Sequence, residues 1–322
     1  MLVSVSAKEL AGRSNSSGDV SKSNYRTPRL LVRDQTSRRL RRISPKGLGA
    51  LQSLPTFMDR WVRKAKEGND PERLLTATIN ASDGCPVGAN SFCGHYCFAH
   101  YSWVGTNVRH DRSKRYVEDT QKLQELGVGV SIFLSTDTEP VPGRGKITEV
   151  TYELLKEMVR FPPNGLLVHS HTDVLGDRRF LDVLKDLGQA TNLIVGIGFD
   201  TDADSVPAHL HGHFSSVQGR LDALERIANS GIKTQASVTP LVGFKDFEGF
   251  ARLFHQMGAY RVMVGELRTK FVGGGATKAL SLDLGLPAPS ETEALTFFRD
   301  LGFPGGVELR ETFYVLLPKV VS

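Results

Sequence analysis

The chain has 322 residues, of which 40% are hydrophobic, and it carries a formal net charge of +5. This length and hydrophobic content allow one large domain with a sizeable core. No apolar run of about 18 residues is present, which excludes a membrane-spanning helix, and three cysteines are too few for a disulfide-rich scaffold. Because the first residues lack the basic segment and apolar stretch of a secretory signal, we expect a cytoplasmic protein.

Positive charge is concentrated in an N-terminal extension, residues 1–70. This extension holds 15 Lys and Arg against 6 Asp and Glu, a net charge of +9, so the remainder of the chain carries −4. Residues 37–43 include four arginines. They could contact the phosphates of nucleic acid, including DNA, or another polyanion. They could instead belong to a solvated, partly disordered arm, or pack over the acidic surface of the barrel. The spacing of Phe57 and Trp61 predicts one amphipathic helix in the extension.

Strands and amphipathic helices alternate through residues 71–322, which we expect to form the second domain. The predicted strands cover residues 74–82, 128–134, 165–170, 192–199, 234–239 and 261–267. The predicted helices between them cover residues 113–126, 147–161, 180–187, 216–230 and 247–257. Right-handed crossovers wind such units into a curved sheet. The pattern therefore predicts an α/β fold, a partial (β/α)6 TIM-type barrel, with a C-terminal extension made of a helix at 290–301 and a strand or tail at 307–317.

All three cysteines lie within thirteen positions, on the loop that follows the first predicted strand. Thiolates on one loop bind thiophilic metals or clusters. A structural zinc site would need a fourth ligand, His95 or His100, whereas a [4Fe–4S] cluster on Cys85, Cys93 and Cys97 would keep one iron open for a non-protein ligand. Inert buried thiols are the third interpretation. The carboxyl edge of an α/β sheet is where chemistry is usually placed, which favours the cluster.

Polar residues follow the next three predicted strands. Asp137 and Glu139 lie in a proline-bounded loop that could bind an ammonium group or could be a solvated turn. His169 and His171 share one face of the third strand, and either one could be a proton shuttle or a structural histidine. Asp200, after the fourth strand, is placed to accept hydrogen bonds from a ribose.

These motifs resemble the radical S-adenosylmethionine (SAM) superfamily, and in particular its spore photoproduct lyase, or DNA repair photolyase-like, branch. The resemblance covers about residues 74–270, although the C-x7-C-x3-C spacing differs from the usual three and then two residues. The matching runs are the cysteine loop and residues 134–140, 170–178 and 215–232, followed by Pro240.

The resemblance implies a [4Fe–4S] cluster on Cys85, Cys93 and Cys97, with SAM bound at its open iron. Tyr96 would pack near the adenine, where the superfamily usually carries an aromatic residue. The edge of the third strand helps to hold SAM in this branch, which implies a SAM contact for His171, although the branch commonly has Lys at that position. The other residues implied or suggested to bind SAM are Ser135, Asp137, Glu139, Asp200, Ser216 and Arg220.

The implied activity is that of a radical SAM enzyme, of lyase, oxidoreductase or mutase type, reduced by an external donor such as flavodoxin or ferredoxin. True spore photoproduct lyases use a further cysteine to return a hydrogen atom, and this chain has none to spare. A pocket of His169, His171, Asp200 and Glu266 suits a small polar substrate, which we favour over DNA bound through the basic arm. The alternative from another class is a non-catalytic, zinc-binding, nucleic-acid-associated protein.

Overall fold

The computed structural model describes residues 31–33, 40–42, 75–83, 85–86, 107–125, 130–134, 138–203, 215–265 and 286–309. The predicted helix around Phe57 and Trp61 lies outside the described residues, and the predicted domain boundary at residue 70 stays a prediction. Within the basic extension, two short strands pair antiparallel, and the second overlaps the arginine cluster. This pairing was not predicted from the sequence.

The described secondary structure alternates between strands and helices, as the sequence predicts. The strands are β1 (Leu31–Arg33), β2 (Leu40–Arg42), β3 (Leu75–Ile79), β4 (Ser82–Asp83), β5 (Asn107–Val108), β6 (Val130–Leu134), β7 (Gly165–Ser170), β8 (Asn192–Gly198), β9 (Thr234–Val238), β10 (Arg261–Val264) and β11 (Val307–Leu309). The α-helices are α1 (Arg112–Glu125), α2 (Lys146–Arg160), α3 (Arg178–Ala190), α4 (Val217–Asn229), α5 (Phe247–Gln256) and α6 (Glu291–Leu301), and a 3-10 turn covers Val174–Gly176.

Seven strands form one sheet in the order β11-β10-β9-β8-β7-β6-β3, and every neighbouring pair is parallel. Each connection along the chain passes through a helix, and the sheet curls into a half-barrel. The prediction of a partial α/β barrel is confirmed. The predicted C-terminal strand is present and pairs in parallel with β10, so the C-terminal extension continues the sheet by one more unit.

Helix boundaries follow local chemistry. Helix α2 ends before Pro162 and Pro163, which cannot donate a backbone hydrogen bond. Helix α6 begins with a capping box in which Ser290 accepts from the Glu293 amide and the Glu293 side chain accepts from the Ser290 amide. It ends at Gly302, whose φ of 73° is the left-handed conformation that favours glycine.

The outer face of the sheet, which packs against the helices, is aliphatic. Side chains alternate between the two faces of a strand, so every second residue joins the main core beneath the helices. The buried strand residues of this core are Ile79, Val130, Ile132, Leu134, Leu166, Val168, Leu193, Val195, Ile197, Ala236, Val238, Val262 and Val264.

The inner face of the sheet, on the concave side of the half-barrel, has a different composition. Part of this face is a small apolar cluster made of Phe133, Leu167, Ile194 and Met263. Strand register also aligns one row of mostly polar residues across four strands. This row consists of His169, Gly196, Gln235 and Arg261.

Candidate functional site

The cysteine-bearing loop is closed at its base by a clamp, which is the antiparallel pair of the two-residue strands β4 and β5. Strand β3 ends at Ile79, earlier than predicted, and the chain then enters β4, which pairs antiparallel with β5. Next to this pair, the Arg109 amide donates to the Ala81 carbonyl over 2.9 Å. The loop of residues 84–106 therefore leaves and returns at the carboxyl end of β3. Cys85, half-buried, follows β4 by two residues.

A buried arginine holds the segment between β3 and the clamp. Arg112, at the start of α1, donates from Nε to the Asn80 carbonyl over 2.9 Å. The Asn80 side chain also lies 3.5 Å from Thr138 Oγ1, in the loop that follows β6. A planar guanidinium presents several donors in a fixed geometry, so Arg112 fixes where the cysteine loop starts relative to α1.

The carboxylate of Glu139 joins the loop after β6 to the end of β7. Its Oε1 accepts from Ser170 Oγ at 2.6 Å and from the Val141 amide at 3.1 Å. Its Oε2 accepts from the His171 amide at 2.8 Å and lies 3.7 Å from His171 Nδ1. Glu139 is buried, and three hydrogen bonds engage both of its oxygens. Its predicted contact with SAM stays a prediction.

Two histidine rings lie side by side above two glycines. The rings of His169 and His171 are 4.9 Å apart and nearly perpendicular. A Cβ atom added to Gly198 would lie 2.5 Å from His171 Nε2, and one added to Gly196 would lie 2.8 Å from His169 Cδ2. Both glycines are therefore required for these ring positions. The His171 side chain is 25% exposed, so it forms part of the solvent-facing wall of the site.

Arg220 and Asp200 form a buried pair at the end of β8. Arg220 is 2% exposed, and its Nη1 donates to the Gly198 carbonyl over 2.7 Å and lies 3.7 Å from Asp200 Oδ1. Its guanidinium also faces the Phe199 ring. Ser216 is exposed and caps α4, since its Oγ accepts from the Gly219 amide. The pair thus fixes the first turn of α4 against β8.

Two further carboxylates connect neighbouring strand-end loops. Asp173 accepts from Ser215 Oγ at 2.5 Å and thereby joins the loop after β7 to the segment before α4. Asp202 accepts from the amides of Lys245 and Asp246, each at 2.8 Å, and joins the loop after β8 to the start of α5. Together with Glu139, they connect successive loops along the carboxyl edge of the sheet.

Seven of the predicted site residues are described, and all lie at or after the strand ends or at the start of α4. The structure brings Glu139 to His171 and Asp200 to Arg220, whereas the Ser216 side chain accepts a hydrogen bond from its own helix. The described predicted residues are Cys85, Glu139, His169, His171, Asp200, Ser216 and Arg220. The predicted residues that lie outside the described part of the chain are Cys93, Tyr96, Cys97, Ser135, Asp137 and Glu266.

The sequence interpretation missed Gly196, Gly198, Asp173 and Asp202. A signal for the two glycines was available, because glycine inside a strand often marks a close approach by another group.

Within the described ranges, no three His, Cys, Asp or Glu side chains come together as a metal-binding group. None of the helices described has both the length and the apolar character needed to cross a bilayer.

No protein-family model and no curated protein sequence matches the chain. Several solved structures are similar to it. One is a spore photoproduct lyase variant with bound AdoMet and dinucleoside spore photoproduct, with 16% identity, a TM-score of 0.49, and coverage of 72% of this chain and 75% of that chain.

Two other similar structures come from larger proteins. Streptococcus suis SuiB bound to precursor peptide SuiA shares 13% identity, with a TM-score of 0.49 over 74% of this chain and 49% of SuiB. The radical S-adenosylmethionine methyltransferase TsrM from Kitasatospora setae shares 16% identity, with a TM-score of 0.44 over 59% of this chain and 35% of TsrM. At these identities, the likeness is one of fold alone.

Proposed function

We propose that the chain is a radical SAM enzyme whose [4Fe–4S] cluster is bound by Cys85, Cys93 and Cys97. The observation that carries this proposal is the clamp of β4 and β5, because it returns the cysteine loop to the carboxyl edge of the parallel sheet. Three thiolates on one such loop fit a cluster with an open iron. Together with bound SAM, such a cluster supplies the reductive cleavage that yields methionine and a 5′-deoxyadenosyl radical, which abstracts hydrogen from the substrate.

The residues at the strand ends would bind and orient SAM. Both oxygens of Glu139 accept hydrogen bonds within the protein. We therefore assign binding of the SAM amino group to Asp137, and we assign to Glu139 the role of positioning the loop that carries Asp137. His171 would donate a hydrogen bond to the carboxylate of SAM or move a proton. Asp200 would accept from the ribose, and Arg220 would orient the Asp200 carboxylate.

The remaining predicted SAM contacts come from the loops and the fourth helix of the barrel. Tyr96 would pack near the adenine, and Ser135 and Ser216 would add hydrogen bonds. The electron would come from an external donor such as flavodoxin or ferredoxin. All of these assignments rest on the sequence motifs and on the position of the strand ends.

The proposed substrate is a small polar molecule. The region outside the basic extension carries a net charge of −4, whereas nucleic-acid enzymes usually surround the site with positive charge. The second candidate, repair of a DNA lesion, is favoured by the resemblance of the motifs to the spore photoproduct lyase branch and by the +9 charge of residues 1–70. Binding of thymine-dimer DNA across a salt titration separates the two candidates. Lesion-selective binding that survives replacement of the four arginines in residues 37–43 by serine would favour DNA.

The cluster is tested by iron and sulfide analysis of anaerobically reconstituted protein. We expect about four irons and four sulfides per chain, and loss of both in each of the three cysteine-to-alanine variants. The matched controls are His95→Ala and His100→Ala, which should keep the cluster. Stoichiometric zinc that is lost in one of these histidine variants would instead support the zinc-binding alternative.

SAM cleavage is tested on the reduced protein. Dithionite-treated, reconstituted protein should release 5′-deoxyadenosine from SAM without added substrate. Asp137→Ala should weaken SAM binding while the iron content stays unchanged. Unchanged SAM affinity in this variant would contradict the assignment of the amino group.

A further inference from the structure

Two hydroxyl groups at the carboxyl end of β9 are not used by the proposed SAM site. Ser237 lies on the inner face of β9, and Thr239 is the first residue after that strand. Because a residue that precedes proline favours the extended conformation, we expect Thr239 to project to the same side as Ser237. Ser237 is fully buried and Thr239 is 7% exposed. Ser237 lies near the carboxyl end of the strand and Thr239 just beyond it, at the edge of the sheet where the cysteine loop begins.

A chain of hydrogen bonds fixes the direction in which Ser237 can donate. Arg261 Nε donates to Gln235 Oε1 over 2.6 Å, and Gln235 Nε2 donates to Ser237 Oγ over 2.7 Å. Because a guanidinium has donors only, the amide oxygen of Gln235 must face Arg261 and the amide nitrogen must face Ser237. Ser237 Oγ therefore accepts a hydrogen bond from Gln235, and its own hydroxyl proton is available for donation to another group.

The positive charge of Arg261 is present at neutral pH. Burial lowers the pKa of the Arg261 guanidinium to about 10, so the group stays protonated at pH 7. A buried chain of hydrogen bonds that starts from a cation polarises each following donor. The hydroxyl proton of Ser237 is thus a strengthened donor aimed away from Gln235.

Neither hydroxyl has an acceptor for its proton in the described part of the chain. The hydrogen bond to Ser237 is one that it accepts, and the buried Thr239 Oγ1 has no hydrogen-bond partner among the described residues. Leaving a buried donor unsatisfied costs free energy. An oxygen acceptor brought by a ligand would satisfy both groups.

The His171 imidazole lies next to this pair of hydroxyls. Gly198 is the register partner of Ser237 on the adjacent strand, and the His171 ring lies directly over Gly198. Adjacent strands are about 4.8 Å apart, so the ring and the Ser237 hydroxyl border the same space. Since His171 is partly exposed, it forms the side of that space nearest to solvent.

We propose that Ser237 and Thr239 bind a carboxylate group of the substrate, with His171 at its side. A donor connected through Gln235 to a buried cation selects an acceptor with negative charge over a cationic amine. The inference rests on the proposed function, for which it names the substrate class as a small carboxylic acid. It also makes Gln235 and Arg261 positioning residues, since they act through Ser237.

The test is ligand-observed NMR on full-length, reconstituted protein with three pairs of probes. Each pair compares a carboxylate with an amine: benzoate with benzylamine, indole-3-acetate with tryptamine, and butyrate with butylamine. We expect at least one carboxylate to bind and its amine partner not to bind. Its affinity should fall about tenfold in Ser237→Ala and in the near-isosteric Thr239→Val. Ser131→Ala, a buried serine on the same face of β6, is the matched control and should bind as the parent does.

Gln235→Glu tests the direction of the hydrogen bonds that run from Arg261 through Gln235 to Ser237. A carboxylate at position 235 would still accept from Arg261 but would also accept from Ser237, so Ser237 would then turn its proton inward. Binding of the carboxylate probe should therefore fall by more than in Ser237→Ala. Urea unfolding confirms that each variant is folded, and if Gln235→Glu is not, the two hydroxyl variants decide.

Two results would overturn the inference: none of the three carboxylates binds, or they bind equally to the parent, Ser237→Ala and Thr239→Val. These results are distinct from failure of the proposed function, which would show as protein without iron and sulfide. A brown, SAM-cleaving protein with unchanged carboxylate binding in both hydroxyl variants would reject the carboxylate site alone.

Discussion

The two faces of the central sheet are both largely buried and are chemically different. A parallel sheet covered on both sides usually has strands that are hydrophobic throughout, and the outer face follows this rule with residues such as Leu166 and Ile197. On the inner face, the same strands place His169, Gln235 and Arg261 in one row. Burying polar groups costs free energy unless they are hydrogen-bonded, so core formation alone does not account for this row.

This difference in composition gives the two faces of a single strand different roles, one in stability and one in chemistry. Residues that face the helices stabilise the fold through apolar burial, while residues that face the barrel interior form hydrogen-bond chains and leave room for rings. Substitutions on the outer face should therefore change the free energy of unfolding and leave ligand binding unchanged. Substitutions on the inner face should affect binding as well.

The largest expected effect tests the outer face. Leu166→Ala removes a fully buried side chain from the main core, which should lower the free energy of unfolding by about 2–5 kcal/mol, as measured by urea denaturation. SAM cleavage at low temperature, per folded molecule, should not change. A loss of cleavage without a loss of stability would break the separation between the two faces.

The next effect tests the room that glycine leaves on the inner face. In Gly198→Ala the new methyl group would collide with the His171 ring, which should cost roughly 1–3 kcal/mol and shift the imidazole resonances of His171 in NMR spectra. The control is Gly188→Ala, in α3, where nothing lies within 4 Å of the added atom. That change should stabilise the protein by about 0.5–1 kcal/mol. Unmoved His171 resonances in Gly198→Ala would contradict the close approach.

Glu139→Gln tests the connection between the loop after β6 and the end of β7. The amide nitrogen that replaces one oxygen would face a donor, either Ser170 Oγ or the His171 amide. We expect a loss of about 1–3 kcal/mol in urea unfolding. Glu153→Gln, which alters an exposed pair with Lys156, should be neutral within error. Equal results for the two variants would mean that Glu139 does not hold the loop.

The smallest effect is a pH dependence at Tyr116, a buried residue of α1. Its hydroxyl donates to the Phe161 carbonyl, so Tyr116→Phe should cost about 1 kcal/mol at pH 8. Burial raises the pKa of Tyr116 above its ordinary value of 10.0. Stability from the neutral phenol is therefore complete below pH 10 and is lost as the pH rises through the higher folded pKa. The stability difference between parent and variant should shrink above pH 10, and a constant difference would contradict this assignment.

Much of the fold was predictable from the sequence because its signals are local. The alternation of apolar residues and the positions of Gly, Pro and Ser predicted the six strands and the helices between them to within a few residues. The first strand was predicted too long, because Asn80 and Ala81 leave the sheet for the clamp. A local sequence pattern cannot predict that the Ala81 carbonyl accepts from the Arg109 amide, because the two residues are almost thirty positions apart.

The candidate site was predictable only in part. Polar residues at strand ends pointed to Glu139, His171 and Asp200, and the structure does put them at the carboxyl edge of the sheet. Their partners were not foreseen, since the hydrogen bond of Ser170 to Glu139 and the ion pair of Arg220 with Asp200 join segments that are 20 or more residues apart. The hydrogen-bond partners of each Glu139 oxygen depend on how the loop after β6 packs against the end of β7.

By itself, the sequence determined the alternation of strands and helices, the grouping of three thiols on one loop and the charge difference between the basic extension and the rest. Only the tertiary structure decided that the last strand joins the sheet, that Gly198 lies beneath His171 and that Arg261 sets the direction of Gln235 and Ser237. The physical reason is register. Cross-strand neighbours are chosen by how the whole sheet pairs, and a shift of one residue would turn each of these side chains to the opposite face.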